Sequence, residues 1–240
     1  MRKVTVITLM VALFFSTMAS AQEYRKETLF MPKGTSGAGI QISYLDLGST
    51  DSDIMLVLKE LNATGTYMSV APFYTYTYKD NRCIGARLKY TKGTGDISKA
   101  DLSLFSDDLS LSVEDIAAST RSIQMQVFQR SYLGLDTHGR FGLFNDLTLS
   151  YGSTRNSFSL NQESLDAYSL TKKVKLGVSP GIMIFILNNV STHVAMSIGG
   201  VSYTHTDNIK GGEVIGKRDF TKAHFAPDVT DITMGITIYL

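Results

Sequence analysis

The stretch Asp231-Ile232-Thr233-Met234-Gly235-Ile236-Thr237-Ile238-Tyr239-Leu240 changes character at every residue. In an extended chain Ile232, Met234, Ile236, Ile238 and Leu240 share one face, and Asp231, Thr233, Gly235, Thr237 and Tyr239 share the other. A helix would scatter these apolar residues around its circumference. Period two therefore predicts a strand with one apolar and one polar or small face. Its length matches the ~9–11 residues that a tilted strand needs to cross a bilayer.

Similar segments recur upstream, and the pattern predicts strands at about 37–47, 65–78, 82–92, 122–135, 140–151, 174–187, 190–203 and 229–240. Ile40, Ile42 and Tyr44, then Ile84, Ala86 and Leu88, then Ile123, Met125 and Val127, then Leu143, Leu147 and Leu149 supply one face. Gln41, Ser43, Arg87, Lys89, Gln124, Gln126, Arg130, Asp146, Lys175 and His193 lie on the other. Beyond residue 21 the longest apolar run, 181–187, is far too short for a helix to cross a membrane. Since only helices and closed barrels satisfy their backbone hydrogen bonds in lipid, a membrane form of this chain has to be a barrel. Alternation alone does not say which face points outward. A soluble exported barrel holding an apolar ligand is thus the rival on fold.

The first residues read Met1-Arg2-Lys3, then an apolar run from Val4 to Phe15, then Ala19-Ser20-Ala21. A basic start, a short apolar core and small residues at the cleavage positions predict a secretory signal cut before Gln22. The run is too short for a membrane anchor, and no cysteine follows that would carry a lipid. The expected organisation is a signal peptide over 1–21, a short periplasmic segment over 22–36 and one barrel domain over 37–240. The signal holds Arg2 and Lys3 of the 23 basic residues and none of the 22 acidic ones. What remains is within one charge of neutrality and gives no electrostatic reason to expect nucleic acid. One cysteine, Cys83, excludes an internal disulfide framework and a thiolate-rich metal site.

The connections carry independent information. Lys79-Asp80-Asn81, the stretch 136–139 and Asn188-Asn189 are short, whereas 48–64, 93–121, 152–173 and 204–228 are long. Long and short alternate along the whole chain. Three short links placed at random among seven would do so in about 1 arrangement of 35, and this is the order of a barrel with short periplasmic turns and longer external loops. Segments 71–90 (APFYTYTYKDNRCIGARLKY), 139–152 (GRFGLFNDLTLSYG), 176–190 (LGVSPGIMIFILNNV) and 235–240 (GITIYL) resemble the small outer-membrane β-barrel family of Gram-negative bacteria, often called porin-like. The eight-stranded OmpA/OmpX type is the nearest in kind. That resemblance implies an all-β, eight-stranded antiparallel up-and-down transmembrane barrel in the outer membrane, and implies a place more than an activity. Tyr44, Tyr76, Tyr78, Tyr90, Tyr132, Tyr151, Tyr203 and Tyr239 fall near strand ends, as in the aromatic girdles of such barrels. Pro72 and Pro180 fall inside predicted strands, and a bulge at each is the expected accommodation.

The polar face collects Arg87, Lys89, Arg130, Arg140, Asp146, Lys175, His193 and Asp231. Eight strands enclose a space just wide enough for side chains, so these residues are expected to fill and neutralise the interior. A narrow anion-leaning path is the alternative that five bases against two acids suggests, with Arg130 and Arg140 solvated at the rim. Catalysis on this fold needs a converging nucleophile, base and orienter. His193 with Ser191, and His205 and His224 near Asp207 and Asp228, are the available elements. Neither G-x-S-x-G nor H-E-x-x-H occurs, so no enzymatic activity, catalytic residue or cofactor is expected. Asp96, Asp101, Asp107, Asp108, Glu114 and Asp115 lack calcium-loop spacing, so no metal site is expected and a solvated acidic face is the default. Ile54-Met55-Leu56-Val57-Leu58 is unusually apolar for a loop. The expected role is structural or surface-interacting through the long loops, with a small-solute channel or a lipid-modifying enzyme as alternatives. The expected partners are the bilayer and the barrel assembly machinery, the latter through the last strand.

Overall fold

The computed structural model describes residues 29–47, 62–101, 112–160, 163–225 and 228–240. The expected signal at 1–21 and the apolar 54–58 stretch lie outside them. The strands are β1 (Ser36–Leu47), β2 (Asn62–Lys79), β3 (Arg82–Asp101), β4 (Ser112–Gly134), β5 (Phe141–Leu160), β6 (Glu163–Leu187), β7 (Val190–Ser197), β8 (Gly199–Lys210), β9 (Glu213–His224) and β10 (Asp228–Tyr239). Sequential neighbours from β1 to β7 pair antiparallel, and β10 pairs with both β7 and β1. The sheet therefore closes on itself. β7 and β8 are successive parts of one wall strand, since β6 pairs with each in turn. β9 and β10 are likewise parts of the next, pairing with β8 and β7. The result is an eight-strand barrel with no edge inside the wall.

The alternation seen in the sequence fixes which way each residue points. Ile40, Ile42, Leu88, Ile123, Met125, Leu149, Ile182, Met234, Ile236 and Ile238 are exposed on the outside. Their polar neighbours Gln41, Ser43, Lys89, Ser122, Arg130, Asp146, His193 and Thr237 are buried inside. In water this pattern would be inverted relative to burial; an apolar outer band is what lipid selects. The soluble rival, with the apolar face inward, is excluded by these positions.

The short turns lie where expected, at 80–81, 135–140 and 188–189. Asn81 takes a left-handed φ of 59°, a conformation Asn tolerates in tight turns. Three of the expected long connections are different. Positions 93–101 and 112–121 continue β3 and β4, 152–160 and 163–173 continue β5 and β6, and 204–210 and 213–224 form the β8–β9 hairpin. These residues are too polar on both faces to read as membrane strands, yet a ladder already paired below propagates upward through backbone hydrogen bonds alone. Gly211 and Gly212, at φ 58° and 83°, make the tight β8–β9 turn.

Pro72 produces no bulge, whereas the expected irregularity does occur opposite Pro180. Pro72 stays in register with Ile40, and β2 resumes with β3 at the same offset on either side of it. Pro180 stays opposite Asn145, but on its other side the pairing shifts by one residue between Gly181↔Ala195 and Val178↔Gly199, with the extra residue at the break between Ser197 and Gly199 and none in β6 itself. The missing donor is accommodated by omitting a ladder bond, so Tyr74, Tyr76, Ile182 and Ile184 keep their outward phase. Among the tyrosines, Tyr44, Tyr76, Tyr78, Tyr90, Tyr151 and Tyr203 are exposed, but Tyr132 and Tyr239 are buried inside. Position near a strand end does not set the face; parity does.

Ile236 lies opposite Ile40 and Thr192 in the wall and is half-exposed. Ile236→Arg should destabilise the barrel in phospholipid vesicles by about 2–4 kcal/mol if it sits near the bilayer midplane, measured by denaturant unfolding. Stability equal to the parent would contradict the outward assignment of β10.

Candidate functional site

The candidate site is the lumen, whose two halves differ. In the half nearer the short turns five large inward rings lie directly across from an inward glycine on the next strand, whereas Tyr132 stands opposite Phe144 and Phe185 opposite Ser191. Phe73 faces Gly39, Phe128 faces Gly85, Phe144 faces Gly181, His193 faces Gly235 and Tyr239 faces Gly37. A Cβ on any of these glycines would run into the facing ring. The rings therefore lie over bare backbone and reach across the lumen.

The same half is stoppered from below. Phe30 and Met31 are buried, with both backbone N–H groups donating to Asn81 Oδ1 at 2.8 and 2.9 Å. Asn81 N–H in turn donates to the Met31 carbonyl at 2.8 Å, and Phe30 fills the space over Gly142. Phe30, Met31, Cys83, Tyr132, Phe144, Met183, Ala195 and Tyr239 form the apolar cluster of this end.

Above the cluster Asp146 is 1% exposed and Arg130, its direct cross-strand partner, is 0% exposed. Arg130 donates through Nε to Oδ1 at 2.6 Å and through Nη2 to Oδ2 at 2.9 Å. Arg87 adds a third bond, Nη2 to Oδ2 at 3.2 Å, and donates Nη1 to Gln126 at 3.2 Å. One carboxylate thus serves two guanidiniums. The surplus positive charge meets ring faces: Arg130 lies 4.0 Å over Phe144, and Arg87 4.5 Å over Phe128. His193 sits edge-on to Phe73 and Phe144, and the Gln41 amide donates to its Nε2 at 2.7 Å.

The other half of the lumen is polar. A cavity of about 210 Å³ is bounded by Arg87, Lys89, Gln124, Asp146, Lys175 and Asp231, with hydroxyls from Ser150, Ser179 and Thr148. Lys89 donates to Asp231 at 2.6 Å, and Lys175 to Ser197 at 3.2 Å. Its lining shares no residue with the depression at the short-turn mouth around Phe30, Arg140, Phe185 and Tyr239. Between the two lie Cys83, Phe128, Arg130, Phe144, Met183, Ser191, His193 and Thr237, all nearly or wholly inaccessible.

Arg87, Lys89, Arg130, Asp146, Lys175, His193 and Asp231 are thus inward as the sequence places them, with Arg87 and Arg130 sharing Asp146 and Lys89 paired to Asp231, while Arg140 is exposed at the short-turn mouth. Arg130 is the exception to expectation: far from solvated at the rim, it is the most enclosed charge in the barrel, because the Phe30–Met31 segment covers the lumen below it. That segment and the ring–glycine pairs were missed. Inward parity of Phe73, Phe128 and Phe144 was legible, but their glycine partners appear only once register is known.

The catalytic elements do not converge. Ser191 Oγ donates to Tyr239 and His193 bonds Gln41, although both face inward. His205, above the apolar band on β8, donates from Nδ1 to Asp219 Oδ1 at 2.7 Å and lies 3.3 Å from Asp207. The hydrogen bond to Asp219 holds the His205 pKa above its ordinary value. The His224 and Asp228 side chains, and the acidic side chains of 93–121, lie outside the described residues. Among the described residues no group of three or more His, Cys, Asp or Glu is placed to hold a metal.

No protein-family model and no curated protein matches the chain. Its structure is similar to the outer membrane protein OprG from Pseudomonas aeruginosa, over 89% of this chain and 99% of that one, at a TM-score of 0.52 and 12% identity. A major outer membrane protein from Thermus thermophilus matches over 86% and 99% of the two chains (TM-score 0.43, 9% identity). Neisserial surface protein A matches over 86% and 97% (TM-score 0.37, 13% identity). The likeness to OprG is one of fold.

Asp146→Asn should destabilise the barrel by about 3–5 kcal/mol in denaturant unfolding, because it leaves two buried guanidiniums without a counter-charge. Arg130→Met added to it should recover part of the loss; an unaltered midpoint for Asp146→Asn would contradict the pairing. His205 should titrate by NMR above 6.5, and the midpoint should fall in Asp219→Asn. With a raised folded pKa, its contribution is present at pH below the unfolded value and is lost as pH rises through the folded one. An unchanged midpoint would contradict the contact.

Proposed function

We propose that the protein is an integral outer-membrane barrel whose lumen is sealed and whose role is structural or surface-interacting through the hairpins that stand beyond the membrane. The observation that carries this is the filled lower lumen, in which buried rings, the Arg130–Asp146 pair and the Phe30–Met31 stopper occupy the level between the polar cavity and the short-turn mouth. The apolar outer wall supports the membrane, and the short turns then face the periplasm. On this reading the chain is exported by a cleaved signal over 1–21. The barrel assembly machinery engages β10, which closes the wall against β1. The reading includes no catalytic residue and no cofactor.

With the lumen shut, recognition falls to the extended β3–β4, β5–β6 and β8–β9 hairpins. The last of these is long and rich in exposed groups, among them Val214, Ile215 and Phe220. A second reading, a narrow anion-leaning channel, is favoured by one feature, the outer cavity with Lys89 and Lys175 on its wall. It requires the Arg130–Asp146 pair to part.

The folded protein in a planar bilayer should therefore show no conductance, or only small anion-leaning events. Removing the β8–β9 tip should leave insertion and heat-dependent gel mobility unchanged while altering surface binding. Large, stable conductance would promote the channel reading.

A further inference from the structure

Where the apolar band ends on the hairpin side, three neighbouring strands present cations in lateral register. Lys92 on β3 is the direct partner of Arg121 on β4, and Arg121 is the direct partner of Arg155 on β5. All three are exposed on the outer face. Lys172 on β6, also exposed, stands opposite Ser153, one outward position closer to the band. Directly below Lys92, Arg121 and Lys172 come Tyr90, Ile123 and Val174, and Tyr151 lies beyond Ser153 below Arg155, each of the four exposed and apolar or aromatic.

Like charges directly opposite one another on a sheet repel, at side-chain separations of about 4.5–5.5 Å. Among the described residues none of the four forms an ion pair, and Arg155 instead lies 4.0 Å over the Tyr168 ring; the row ends at His205, the β8 partner of Lys172, whose own partners are Asp207 and Asp219. Nor is the row part of an even girdle. At the matching height β1 carries Tyr44 and the carboxylate of Asp46, and β2 carries Met68 and Thr66. The cations are gathered on one side of the wall, at the edge of hydrocarbon, where an anionic headgroup is held at their height.

We propose that Lys92, Arg121, Arg155 and Lys172 form a docking site for a lipid headgroup that bears more than one phosphate, of the phosphorylated glycolipid class, in the outer leaflet. Guanidinium forks match phosphate oxygens two at a time, and a row of cations on adjacent strands suits a headgroup with spaced phosphates better than a single one. The acyl chains then lie against Tyr90, Ile123 and Tyr151. This inference rests on the outer-membrane reading above.

The test inserts the refolded protein into phosphatidylcholine vesicles containing a bisphosphorylated glycolipid, its phosphate-free counterpart or phosphatidylglycerol. Mild detergent extraction and native mass spectrometry then count the retained lipid. Parent protein should retain the bisphosphorylated glycolipid about tenfold better than either comparison lipid, and excess salt should weaken this retention. The variant Lys92→Gln, Arg121→Gln, Arg155→Gln should lose about tenfold, with heat-dependent mobility intact. Lys217→Gln with Arg218→Gln, on the distant β9 strand, should lose nothing. Should the triple variant not insert, Arg121→Gln alone, at the centre of the row, should still lose about threefold. Equal retention by the parent and the row variant that inserts, or equal retention of phosphate-free glycolipid or phosphatidylglycerol, overturns the proposal. Failure of the parent itself to insert, read from its gel mobility, overturns the outer-membrane reading together with it.

Discussion

In the lower lumen five large rings each rest on a glycine directly opposite in the ladder, and the remaining features follow from that constraint. An eight-strand barrel has an interior only just wide enough for side chains. Rings placed opposite branched residues would collide with them; placed over Gly37, Gly39, Gly85, Gly181 and Gly235 they reach inward and meet one another. Phe73 and Phe128 stack edge to face with centroids 6.4 Å apart, and His193 makes similar contacts with Phe73 and Phe144. The layer separates Asp146 from the short-turn mouth below it.

That burial explains the charge arrangement. A carboxylate buried at this depth is tolerated only with strong, well-directed partners, and Asp146 has three guanidinium hydrogen bonds. Two arginines per carboxylate would leave an excess charge, and the ring faces around it offset that excess. Lysine in place of Arg130 would lose the two-point geometry and the stacking together. Above this level the lumen widens into hydroxyls and amides, where Lys89 and Lys175 have single polar partners and face a cavity. The barrel is thus a sealed base carrying a polar vestibule and tall hairpins.

Much of this was legible in the sequence, because parity and connection length are local properties. The run from Asp231 to Leu240 shows the period, the face and the bilayer-length strand at once, and the turns at 80–81 and 188–189 follow from Asp-Asn and Asn-Asn. Arg87, Lys89, Arg130, Asp146 and His193 were assigned inward by the same rule and are inward. What was not legible depends on register or on distant chain. Gly181 says nothing of Phe144 until β5 and β6 are aligned, and Arg130 reads as a rim residue until Phe30 and Met31 cover it. The polar extensions of β5 and β6 read as loops because their hydrogen bonds, not their side chains, make them strands.

The sealed base is the central claim, and Cys83 reports on it. It is the chain's single cysteine, points into the lower lumen, is wholly buried, and lies 3.5 Å from the Tyr132 hydroxyl. The direct measurement is the rate at which a small charged thiol reagent modifies Cys83 in the folded protein in lipid vesicles, compared with the unfolded chain. A sealed lumen predicts no modification on the timescale in which the unfolded chain reacts completely, from either side of the membrane. Modification of the folded protein at a rate near that of the unfolded chain would mean that water and ions pass the ring layer, and would contradict the account.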